Sequence, residues 1–297
     1  MDVPETVRRG PHTGNEMQQF RILARKAALI VSGRHILVHN MEAQLEGAQA
    51  INRAAMLLRI VSAAADGVTT AHAAQQAGIA RTTAHRILSS LQEAGLLDRS
   101  RTTGTWHLGP EIYVMGALAA RRYDFVETAR PAIRALADAT GESAFLSLRR
   151  GDENVCVLRE EGSFPLRSFV LQEGTRFPLG VASGGLALLS FLSDQEIDAY
   201  LDRTELDAQW GQTHSADHIR ERVRLTRTAG YATNPALILE GSWGMASAVF
   251  DRHDKPAWAV SITGVESRFR TERRPQLGQM LLKTAHQLSR QARTRPQ

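Results

Sequence analysis

Arg81, Thr82, Thr83, His85, Arg86 and Ser89 fall within nine residues, interleaved with Ala84, Ile87, Leu88 and Leu91. At helical pitch the apolar set shares one face, while Thr82, His85, Arg86 and Ser89 occupy another. Guanidinium, hydroxyl and imidazole groups bond phosphate oxygens and base edges, whereas a purely structural helix commonly fills its outer face with Glu and Lys pairs. From this helix alone, a solvated face in a small helical bundle remains the alternative. Arg99 and Arg101 shift the balance. They flank the turn between two short strand-like pieces at 96–99 and 105–108, where they could lie along a phosphate backbone.

A second chemistry lies in the distal half. Ser183, Gly184 and Gly185 stand where a helix begins, so their N–H groups could hold a carboxylate by direct bonds and by the helix dipole. An ordinary Gly-rich helix start packed on a sheet is the competing reading. In the strand Ala259-Val-Ser-Ile-Thr-Gly, Ser261 and Thr263 alternate onto one face and can orient a ligand oxygen.

Catalysis finds little support. Ser183 comes one position too late for G-x-S-x-G, and neither G-x-G-x-x-G nor a Walker pattern occurs. His214 and His218 could lie one helical turn apart, as could His35 and His39, but neither pair has a third ligand nearby in sequence. No metal and no cofactor is therefore expected. Cys156 is the only cysteine, which excludes an intramolecular disulfide and a cysteine-built zinc site; it reads as a core residue.

Positioning these groups takes several elements. A first helix carries Ile51, Ala54, Leu58 and Val61 on its buried side and ends near Asp66 and Gly67. Thr69 or Thr70 caps an Ala-rich second helix, and Gly78 turns the chain into the helix of Arg81. Together with the strand pair this outlines a winged helix-turn-helix, in which Trp106 anchors the wing rather than stacking on a sugar. Pro110 opens a helix over 111–122 whose Ile112, Val114, Met115, Leu118 and Ala119 exceed one packed face, which suggests a dimer contact.

Beyond it the pattern is mixed: a helix at 125–140 stopped by Gly141, strands at 143–148, 155–159 and 167–171, and a turn at 151–154. Helices follow at 182–192, 194–202 and 215–229, then strands at 245–250 and 257–263 and a final helix at 272–292.

The chain's 297 residues favour two domains, and 43% hydrophobic residues suffice for ordinary cores. No apolar run reaches the ~18 residues of a bilayer span, and no signal peptide is evident, so a cytoplasmic protein without membrane contact is expected. A formal charge of +5 favours polyanionic partners. Residues 1–48 mix Pro, Gly and scattered charge without sustained period, an extension with little fixed structure beyond a possible short helix at 18–30.

Three segments together resemble a known family. Ile51-Asn-Arg-Ala-Ala-Met-Leu-Leu, Ala77-Gly-Ile-Ala-Arg-Thr-Thr-Ala-His-Arg-Ile-Leu and Glu93-Ala-Gly-Leu-Leu are similar to the DNA-binding domain of the IclR family of bacterial transcription regulators, and the resemblance extends over about 50–292. It begins just after Met41, which leaves Met1 and Met41 both open as the start.

The resemblance implies an α+β chain: extension 1–48, winged helix-turn-helix 49–109, linker helix 110–123, GAF-like effector-binding domain 124–292 and tail 293–297. The implied partners are a double-stranded DNA operator, a small organic-acid effector and a second copy of the chain, as a homodimer or a dimer of dimers. Ser183, Gly184, Asn234, Gly244, Ser261 and Thr263 occupy effector-contacting positions by the same resemblance.

Departures bear on the ligand. Asn234 stands where some members have an acidic residue, Gly244 where some have Cys, and Gly180 where His is common. Gly244 makes room, while Trp243, Phe177 and Phe169 offer aromatic walls, so an aromatic or otherwise bulky acid is expected. An enzyme acting on a small organic acid, with an N-terminal docking domain, is the alternative.

Overall fold

The computed structural model describes residues 49–120 and 124–294. The 1–48 extension with its 18–30 helix, the His35 and His39 pair, Met41 and the end of the linker helix lie outside the described residues. Three helices, α1 (Gln49–Ser62), α2 (Thr70–Ala77) and α3 (Arg81–Glu93), precede a two-stranded wing of β1 (Leu97–Arg99) and β2 (Trp106–Leu108). Thr69 caps α2 by accepting from the His72 N–H at 3.3 Å, and Gly78 ends it in the left-handed region at φ 62°. Thr70 instead reaches the wing, where its Oγ1 accepts from Trp106 Nε1 at 2.9 Å. Trp106 is fully buried among the three helices, so it anchors the wing.

The buried side of α1 differs from the expected one. Met56, Leu57, Ile60 and Val61 are buried, Ala54 and Leu58 are partly so, and Ile51 is 71% exposed. The run from Ala54 to Leu58 is apolar on several faces, so packing against α2 and α3 selects the stripe, and Ile51 overhangs the small core.

Helix α4 (Pro110–Ala120) buries none of its residues, and α5 (Phe125–Thr140) ends at Gly141 with φ 73°. The distal half is built on β3 (Ser143–Arg150), β4 (Glu153–Glu160), β5 (Arg176–Pro178), β6 (Ala232–Pro235), β7 (Ser242–Phe250) and β8 (Pro256–Val265). They form one antiparallel sheet in the order β5-β4-β3-β8-β7-β6. On one face pack α6 (Ser183–Ser190), α7 (Asp194–Asp202), α8 (Leu206–Trp210) and α9 (Ala216–Ala229); on the other, α5 and α10 (Arg274–Arg293). The chain is α+β, as expected.

Sequence pattern misplaced parts of this sheet. Residues 167–171 are no strand: the Val170 N–H donates to Ser168 Oγ, and the Gln172 N–H to Thr175 Oγ1. The edge position beside β4 belongs to β5 instead. The turn at 151–154 is only Gly151 and Asp152, and Asn154 already lies in β4. Strand β6 and helix α8 had no clear signal, because each is short and owes its form to a neighbour.

Candidate nucleic-acid interface and ligand cavity

The α3 face that carries polar groups is turned outward. Arg81, Thr82, His85 and Arg86 are exposed, Thr83 and Ser89 half-buried, while Ala84, Leu88 and Leu91 are in the core. Ala80, which precedes the helix, supplies no side-chain cap, so the first-turn N–H groups remain available to an anion such as phosphate. In the wing, Arg101 is exposed, whereas Arg99 is held by its neighbours: its Nε donates to the Gly104 carbonyl at 3.4 Å and its guanidinium lies 5.2 Å from the Trp106 ring centroid. Among the described residues every ion pair lies between Glu127 and Arg293. The arginines of the winged helix-turn-helix therefore form no contact ion pair among the described residues, although Arg59 on α1 feels the charge of Glu153.

The distal residues converge on a small, partly open cavity between the sheet and the start of α6. Ser183, Gly184, Asn234, Trp243, Gly244, Ser261 and Thr263 all line it, as do Phe177 and the apolar Val170, Leu171 and Ile238. Ala182 offers α6 no side-chain cap, and the first turn of that helix is buried. Its N–H groups therefore face the cavity region with no side chain capping them, which suits a carboxylate. Strand alternation brings Ser261, Thr263 and Gly244 to the same face of the sheet. A β-carbon on Gly244 would stand 3.0 Å from Ser183 Oγ, so the missing side chain lets α6 approach rather than leaving open room. Among the described residues that line this cavity none has a titratable side chain.

Two expectations need correction. Trp243 borders the cavity, but its ring is on the opposite face of the sheet, stacked 6.3 Å from Phe269 with Arg274 over it at 4.2 Å. With Gly244 pointing inward, strand alternation sends Trp243 outward. Phe169 is 63% exposed and does not line the cavity, so Phe177 is the aromatic wall. Asn234 reaches the cavity with its amide already engaged: Nδ2 donates to the Val181 carbonyl at 2.7 Å, and Oδ1 accepts from the Leu237 N–H at 3.1 Å.

Asn154 was not expected there. It is 1% exposed, faces the cavity from β4, and its Oδ1 accepts from no group among the described residues. Nothing in its local sequence marked it, because the β4 pairing that turns it inward is long-range.

The histidines do not form a metal pair. His214 is buried, with ring nitrogens at 3.2 Å from the Trp210 carbonyl and 3.4 Å from that of Val181, whereas His218 is exposed beside Ser215. Cys156 lies in the core, where burial pushes its thiol up to about 12. No described helix is long and apolar enough to cross a membrane.

Comparison with known proteins agrees with this architecture. Residues 50–101 match the IclR helix-turn-helix domain, and residues 117–290 match the bacterial transcriptional regulator IclR C-terminal domain. The acetate operon repressor of Salmonella typhimurium is 27% identical over 243 residues, covering 81% of this chain and 89% of that protein. The HTH-type transcriptional regulator KipR of Bacillus subtilis is 30% identical over 214 residues, 72% of this chain and 85% of its own. A crystal structure of an IclR homolog from Microbacterium hydrocarbonoxydans complexed with 4-hydroxybenzoate has the same fold, with TM-score 0.66, 19% identity and coverage of 83% and 100% of the two chains. Both halves of the molecule carry the family's sequence pattern in the family's order, and the chain belongs to the IclR family of DNA-binding transcription regulators.

Proposed function

We propose that a dimer of this chain sets two α3 helices in successive major grooves of a roughly palindromic operator, with Arg81, Thr82, Thr83, His85, Arg86, Ser89, Arg99 and Arg101 as its contacts. A small organic acid in the distal cavity changes the spacing of the two heads by favouring one of two arrangements. The observation that carries this reading is the pairing, in one chain, of a free polar helix face with a cavity built around an uncapped helix start.

Contacts to the acid come from the first turn at Ser183 and Gly184 together with the hydroxyls of Ser261 and Thr263. Phe177, Val170, Leu171 and Ile238 line the apolar part, which favours an aromatic or bulky acid. The 4-hydroxybenzoate bound by the Microbacterium relative supports that class. Dimerisation falls to α4, where Tyr113 is 80% and Leu118 68% exposed and Val114 and Met115 are exposed beside them.

Fluorescence anisotropy on a duplex that the protein enriches from random sequence tests both parts. Affinity should fall steeply with salt and shift when a bound acid is added. Salt-independent affinity would remove the DNA reading; an operator affinity that no aromatic or aliphatic acid changes would remove the effector reading.

A further inference from the structure

The walls of the cavity are not equally fixed. Phe177, Gly244 and Ser261 stand on strands of one sheet, and Ser183 and Gly184 on α6. Val170 and Leu171 instead belong to the connection 161–175 between β4 and β5, which has no helix or strand of its own.

Both ends of that connection are tied down. The Phe164 N–H donates to the Gly141 carbonyl at 3.0 Å, and the Arg268 guanidinium lies 4.4 Å from the Phe164 ring centroid. At the other end the Cys156 N–H donates to the Thr175 carbonyl at 2.9 Å, and the Gly174 N–H to the Cys156 carbonyl at 2.8 Å. Between these ties the hold is slight. Among the described residues, no main-chain group of 165–171 bonds to the main chain of the rest of the fold. The hydrogen bond that crosses from this stretch to the sheet joins Ser168 Oγ to Ser242 Oγ at 2.6 Å, and Ser242 itself borders the cavity. Val170 and Leu171 are buried beneath, while Leu166 and Phe169 face solvent.

The cavity is small for an aromatic acid, so such a ligand needs a wall that can move. Displacing a strand would break ladder bonds along its length. Displacing 165–171 breaks one hydroxyl pair and uncovers two aliphatic side chains, a local opening far easier than unfolding the sheet.

We propose that 165–171 is a strap that gates the cavity, with Ser168 and Ser242 as its latch. It lifts between its two tied ends to admit an aromatic acid, then closes so that Val170 and Leu171 pack on the ring. The inference rests on the effector reading above and adds the route by which the ligand enters and leaves.

Stopped-flow fluorescence of the full-length protein with benzoate and with 4-hydroxybenzoate tests the gate, since Trp210 packs 5.6 Å from Phe177 of the cavity wall. Ser168→Ala should raise the association and release rates alike, about 5-fold, because one hydrogen bond no longer opposes opening. The dissociation constant should stay nearly unchanged, whereas loss of a mere ligand contact would speed release alone. A second variant holds the strap shut: the two Oγ atoms are 2.6 Å apart, so Ser168→Cys combined with Ser242→Cys places two sulfurs within disulfide reach. Oxidised, that protein should take up neither acid, and reduction should restore uptake. Equal uptake by the oxidised and reduced forms overturns the gate and leaves the effector reading standing, as do rates that Ser168→Ala leaves unchanged. Failure of the wild-type protein to bind either acid overturns both.

Discussion

The Asn234 side chain donates to the Val181 carbonyl at 2.7 Å and so ties edge strand β6 to the turn that leads into α6. The same amide accepts from the Leu237 N–H, beside Ala236, which adopts a positive φ of 55°. Asn234→Ala should therefore lower stability by about 1–3 kcal/mol, because the half-buried Leu237 N–H loses its partner and the buried Val181 carbonyl loses the shorter of its contacts. The urea midpoint measures this. With the start of α6 loosened, the response to acid should weaken while DNA affinity without acid stays unchanged. A variant as stable as wild type would show that the Val181 and Leu237 bonds contribute nothing.

Arg86 is exposed on the polar side of α3. Arg86→Ala should leave the melting temperature in place and weaken operator binding by about 1–3 kcal/mol if the guanidinium reads a base. A phosphate contact has another signature: the slope of log affinity against log salt becomes shallower by about 1. Anisotropy across a salt series separates the two. Unchanged affinity and slope would remove Arg86 from the interface.

The indole of Trp106 donates to Thr70 Oγ1 at 2.9 Å inside the core that holds the wing. Thr70→Val keeps the shape and leaves that N–H unpaired, a cost of about 1–3 kcal/mol. Trp106→Ala should cost about 3–5 kcal/mol through lost burial and the cavity left behind. Thermal denaturation followed by circular dichroism reads both, and the valine variant should keep most of its DNA affinity.

Leu118 is 68% exposed on α4, a helix with no buried residue. Leu118→Glu should shift the protein toward monomer in sedimentation velocity, since a charge buried in an apolar contact is strongly unfavourable. An unchanged oligomeric state would place the subunit contact elsewhere.

Burial raises the Cys156 thiol from 9.0 to about 12. Its folded pKa exceeds the unfolded one, so its contribution to stability is complete below about pH 9 and is lost as pH rises toward 12. At pH 8 the native thiolate fraction is lower on the order of 1,000-fold, so iodoacetamide should label Cys156 only as fast as the chain unfolds. Rapid native labelling would contradict the buried placement.

What could be read without the structure was local. The polar face of α3 follows from contacts between residues three and four apart, and Gly78, Gly141 and Gly230 end their helices in the left-handed conformation that glycine tolerates best. Ser261 and Thr263 share a strand face for an equally local reason, the two-residue repeat of extended chain. That repeat also separates Gly244 from Trp243, so their placement on opposite faces was implicit in their being neighbours. Tertiary structure decided what depends on distant partners: which stripe of α1 is buried, that 167–171 crosses the cavity unpaired while Arg176–Pro178 takes the sheet edge, and that Asn154 turns inward. A short extended segment has no preference for one neighbour until the sheet assembles, and a buried amide gains its meaning only from the donors that the rest of the fold brings to it or withholds.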